Sequence, residues 1–186
     1  MRRMASALVA AMLTFGIVSP AAADLTEAME RAEAIKKYDA ALKEADKITG
    51  LVLVEEGLKS DDPQVVRLAF DFAMANEDAD FKTLALRHWW ANSSSFAIRL
   101  IPPQQPTETQ KQFLARTPLI TITDMSLNDK GEPLARGYQG RFTKGGLELY
   151  QSGACSLLID DLDPDFMAGT YTCPRIEPLA ARVELE

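Results

Sequence analysis

Two rhythms of apolar residues divide the chain. From residue 24 to about 100 they return every three or four positions. Leu25, Met29, Ala32, Ile35, Tyr38, Leu42 and Ala45 make one stripe, with charges on the other faces. That spacing predicts an amphipathic helix, since 3.6 residues per turn brings such positions to one side. From Leu119 the period becomes two. Ile120 and Ile122 share a face, Tyr138, Gly140 and Phe142 share another, and LELY, ACSLLID, MAGTYTC and ARVEL follow. Five or six short strands between turn residues predict an antiparallel sheet, curled into a small barrel or sandwich.

Inside the helical region the chain repeats itself. SDDPQVVRLAFDFAM, from Ser60, aligns with NEDADFKTLALRHWW, from Asn76, and ITGLVLVEEGL at 48–58 is a weaker third copy. Asp62 is placed to cap a helix with Pro63 in its first turn, and Asp78 takes the same place in the next copy. Short turns then make successive helices antiparallel neighbours. The middle helix is apolar almost all round, leaving only Gln64, Arg67 and Asp71 polar, so its flanking copies are its expected packing partners. Leu68 and Phe72 are its expected core residues. The stretch GLKSDDPQVVRLAFDFA resembles HEAT or armadillo-type helical repeats, a likeness covering about residues 44–92. The resemblance implies a protein-binding scaffold and supplies no catalytic residue.

The expected fold class is therefore α+β: an N-terminal antiparallel helical array, HEAT-like, followed by a C-terminal antiparallel β-barrel or sandwich with one disulfide. The expected division is a signal peptide at 1–23, a helical domain at 24–100, a linker at 101–117 and a β domain at 118–186. IPPQQPTETQ opens the linker, and a short helix over TETQKQFLAR follows within it.

The chain's beginning changes the picture of its compartment. Arg2 and Arg3 precede an apolar run from Ala5 to Val18, then Pro20 and three alanines. This is the pattern of a secretory signal peptide cleaved after Ala23. The run is shorter than the about 20 residues a bilayer span needs, so no membrane insertion is expected after its removal. Loss of the two arginines takes the net charge from −7 to −9. So acidic a chain has no basic stripe for nucleic acid. In an exported chain two cysteines, Cys155 and Cys173, read as a disulfide. Paired across a hairpin they are centred on residue 164, within the turn DLDPD.

The search for chemistry yields little. His88 is the one histidine and reads as structural or exposed. No metal, cofactor or catalytic residue is assigned. Asp161, Asp163 and Asp165 alternate as in a calcium loop, but Phe166 stands where such a loop needs glycine. Binding candidates are Trp89 and Trp90, whose adjacency on a helix forbids both from facing one core, and Tyr138 and Phe142 as an aromatic rim. The expected function is that of a non-catalytic exported, periplasmic binding or protein-interaction protein, its partner another protein. The alternatives are a secreted enzyme inhibitor or immunity-type protein and, after it, a carboxylate-based hydrolase using Glu55 and Glu56.

Overall fold

The computed structural model describes residues 20–151 and 154–185. The expected signal peptide lies almost wholly outside them. The chain parts into two compact units, residues 1–37 and 38–186. In the first, the described residues belong to helix α1 (Pro20–Glu44), and Leu25 and Met29 are exposed.

The second unit begins with the rest of α1, where Leu42 is buried. Three further helices follow: α2 (Lys47–Leu58), α3 (Pro63–Ala75) and α4 (Ala79–Asn92). Their N-caps are Asp46, Asp62 and Asp78, each accepting a hydrogen bond from a backbone N–H of its own first turn. The repeat spacing of the sequence thus recurs in the caps and includes the weak third copy. As the repeat predicts, α3 packs against both α2 and α4.

The buried stripe of α3 differs from expectation. Ala69, Ala73 and Met74 are fully buried, whereas Leu68 and Phe72 are only partly so. The reason is a close approach of small residues. Ala69 meets Gly57 of α2, and Tyr38 lays its hydroxyl over the same glycine and donates to Leu53 O at 2.8 Å. Leu68 and Phe72 are displaced to the flanks, where Phe72 meets Phe81 edge-on at 5.7 Å.

Among the described residues, nine strands form one antiparallel sheet. They are β1 (Ser95–Ile101), β2 (Leu119–Thr123), β3 (Ser126–Leu127), β4 (Pro133–Ala135), β5 (Tyr138–Thr143), β6 (Gly146–Tyr150), β7 (Ser156–Leu162), β8 (Phe166–Cys173) and β9 (Ile176–Glu184). Helix α5 (Glu108–Arg116) lies between β1 and β2. The spatial order is β2-β1-β9-β8-β7-β6-β5-β4-β3. The two edges, β2 and β3, are separated in the chain by only Asp124 and Met125. Nine flat strands would set the edges roughly 38 Å apart, and so short a link spans only about 10 Å. The sheet therefore curls into a half-barrel. At the joint Asp124 adopts φ 58°, and its carboxylate accepts from Arg136 Nε at 2.7 Å. The backbone N–H of Arg136 donates to Thr123 O at 2.8 Å, pinning the end of β2 to the turn between β4 and β5.

Alternation sorts the strand residues as the sequence predicts. Phe96, Ile98, Leu100, Ile122, Leu147, Leu149, Leu157, Ile159, Leu179, Ala181 and Val183 are all buried on the inner face. The β7–β8 hairpin pairs Ser156 with Thr172 and Leu157 with Tyr171, centred on residue 164. Cys155 and Cys173 are disulfide-bonded with Cα atoms 4.2 Å apart. Such a bond is consistent with an oxidising, exported environment. The register slips by one at Asp160, a β-bulge. Gly169 sits opposite, where any Cβ would fall on the Leu158 carbonyl oxygen.

Two expectations are corrected. Residues 95–101 are a strand rather than the end of the helical region, because Phe96, Ile98 and Leu100 alternate with exposed neighbours. The helices and sheet are also not parted at 101–117, since residues 38–186 are one compact unit. The reason is that β1, on the helical side of the linker, pairs with β9 at the far end of the chain, and α4 packs on β3, β5 and β6. The short helix anticipated in the linker is α5, with a capping box between Thr107 and Gln110. Gln110 is buried and its amide donates to the carbonyls of Glu177 and Pro178, at 3.4 Å each.

Candidate functional site around Trp89

The C-terminal turn of α4 reads LRHWWANS. Successive helix residues are turned by about 100°, so Trp89 and Trp90 part company. Trp90 has no exposed surface, and its Nε1–H donates to Ser126 O at 2.7 Å. It ties α4 to the edge strand β3 and belongs to the core rather than to a binding surface. Trp89 is half-buried. Its ring stands 6.2 Å from that of Trp90 and 5.0 Å from that of Phe96. The half-buried indole is thus held by two buried rings.

Trp89 borders two grooves. The first, of about 440 Å³, runs between α3 and the end of α4. Val66, Phe70, Trp89 and Leu185 give it apolar walls, while Asp61, Arg67, His88 and Asn92 supply polar groups. Arg67 Nε is held 2.8 Å from Asp71, and this hydrogen bond raises the guanidinium pKa further above its ordinary value. The Asn92 amide donates to His88 O at 2.8 Å and lies 3.3 Å from His88 Nδ1. An amide nitrogen only donates, so Nδ1 accepts and the neutral ring carries its proton on Nε2. Burial lowers the His88 pKa, which favours that neutral form.

The second groove, of about 520 Å³, lies on the outer face of β2, β1 and β9. Trp89 and Ser93 form one end, and Ala97, Arg99, Leu119, Thr121, Arg182 and Glu184 line the strands. One half-buried indole at the meeting of two concave surfaces has the geometry by which aromatic residues anchor a partner.

The other candidates lie apart. Tyr138 and Phe142 are on the inward side of β5, both partly buried. Tyr138 contributes to a separate cavity of about 480 Å³ with Leu134, Gly137 and Tyr150. Its hydroxyl hydrogen-bonds that of Tyr171 from across the curled sheet, and burial raises both phenol pKa values, that of Tyr171 to about 12. Phe142 lies beneath the Arg87 guanidinium, 5.4 Å from the ring centre, where it links α4 to the sheet. Glu55 and Glu56 are exposed and paired with Lys59 at 2.8 and 3.6 Å.

Comparison with known proteins adds no relative: no family model, curated protein or solved structure matches the chain. Trp89 was legible in the sequence as half of a tryptophan pair. The arginines of the second groove were not, because Arg99 and Arg182 lie far apart in the chain and meet only through the β1–β9 pairing.

Proposed function

We propose that this is a non-catalytic exported protein of the periplasm that binds another protein through the surface around Trp89. The observation that carries the reading is the partly buried Trp89, propped by Trp90 and Phe96 between two grooves. A rigid indole loses little conformational freedom on binding and offers a large contact area, which is why tryptophan is enriched among interface hot spots. The aspartate-capped helix repeat supports a HEAT-like scaffold behind that surface. The disulfide, together with the Arg-flanked apolar run of the sequence, supports export.

The test is capture from periplasmic extract by tagged protein, with Trp89→Ala run in parallel. A discrete partner held by the wild type should bind the variant about thirtyfold more weakly, as loss of a hot-spot aromatic of about 2 kcal/mol implies. Circular dichroism and thermal melting establish that the variant is folded. Equal capture by both proteins refutes the assignment of the surface, and no specific capture by the wild type refutes the function.

A further inference from the structure

The outer face of the second groove carries an unusual pairing. Arg99 on β1 and Arg182 on β9 are direct cross-strand partners. Both line the groove beside Leu119 and Trp89. Side chains so placed have Cβ atoms only about 5 Å apart, and like charges in that position repel. The pairing is the more conspicuous in a chain of net charge −7, with 27 acidic residues against 20 basic.

The two arginines are not in equal circumstances. Arg182 is fixed: its Nε donates to Glu184 at 2.7 Å, Nη2 lies 3.4 Å from the other carboxylate oxygen, and the guanidinium stands 3.9 Å over the Phe166 ring. Arg99 is exposed, and among the described residues no carboxylate lies within ion-pair distance of it. Arg182 is thus neutralised and oriented by Glu184, while the Arg99 charge beside it in the concavity is uncompensated. The planar fork of arginine fits a carboxylate in a bidentate way that lysine does not.

We propose that Arg99 and Arg182 form the anion-binding subsite of the Trp89 surface, taking a carboxylate from an acidic stretch of the partner protein. The inference rests on the interaction reading above and names the chemistry of its partner. The overall negative charge does not forbid it. At physiological ionic strength fields decay over about 8 Å, so the groove's own charges, Arg99 and Arg182 against Glu184, set the preference. Leu119 is the cross-strand neighbour of Arg99 and Trp89 stands at the end of the same groove, and both suit apolar neighbours of the acidic residue. An isolated inorganic anion gains nothing from those walls, whereas a peptide does.

The experiment uses the purified disulfide-bonded protein and an end-blocked hexaglutamate peptide, followed by tryptophan fluorescence. The chain has two tryptophans. Trp90 is sealed in the core, so the signal reports on Trp89. Hexaglutamate should give a saturable change, and hexaglutamine at the same concentrations none. Arg99→Gln should weaken binding by about ten- to a hundredfold, the loss expected for a hydrogen-bonded charge pair, without lowering the melting temperature. Arg99→Lys should fall between the two. Unchanged peptide affinity in Arg99→Gln overturns the proposal. A lowered melting temperature overturns it too, since Arg99 would then serve stability. Inorganic phosphate binding as tightly as the peptide would make this a free-anion site and overturn the partner assignment. A flat peptide titration alongside Trp89-dependent capture removes the arginine pair but leaves the interaction surface standing.

Discussion

Replacing both Cys155 and Cys173 by alanine removes a cross-link between residues 18 apart in sequence. In the chain-entropy account a loop of this length stabilises the fold by about 3 kcal/mol, because the unfolded chain regains the freedom that the bond denied it. Domains of this size have about 5–15 kcal/mol in all, so the variant should fold but with much of its margin gone. Its melting temperature should drop by roughly 6–12 °C, at about 2–4 °C per kcal/mol. The structure also predicts how it unfolds. One contiguous buried cluster runs from Leu42 and Val54 in the helices to Leu179 and Val183 in the last strand. Trp90 is bonded into β3 and α4 rests on β5 and β6. Helices and sheet in residues 38–186 should therefore melt together. In urea, the far-ultraviolet helical signal and the near-ultraviolet signal of the aromatic rings should share one midpoint, in the variant as in the parent. A two-domain reading of the sequence predicts the opposite, with helices surviving after the sheet has opened. Two separated transitions would refute the shared core. A loss below about 1 kcal/mol would mean that the β7–β8 hairpin is already confined in the unfolded chain.

Two further outcomes test the packing and the groove. Gly57→Ala should destabilise by about 1–3 kcal/mol in urea unfolding, as overpacking does, because the new methyl group collides with the Tyr38 hydroxyl and lies 2.8 Å from Ala69 Cβ. Adding Tyr38→Phe should recover part of the loss, and strict additivity would show that the two residues do not meet. For His88, burial puts the folded pKa below the unfolded value of 6.5. The unfolded state then binds the proton more readily, so this contribution to stability is present above about pH 6.5 and is lost as pH falls through the folded pKa. The imidazole proton resonances should titrate below the ordinary histidine midpoint, and a midpoint at or above it would refute the burial of His88.

The sequence determined what repeats locally. Aspartates spaced sixteen apart each cap their own helix, and the apolar period assigns inner and outer faces strand by strand, because both effects act within one or two turns of chain. The disulfide register was legible for the same reason, since a hairpin between neighbouring strands is centred on its own turn. Tertiary structure decided what depends on distant pairs. That β1 joins β9, and that β2 and β3 become opposite rims of one curled sheet, follows from pairing residues as far apart in the chain as Arg99 and Arg182. No local period records such closures. Which tryptophan is buried is visible only in the packed fold, where Trp90 donates to Ser126 O. The facing of Arg99 and Arg182 likewise exists only once the first strand has found the last.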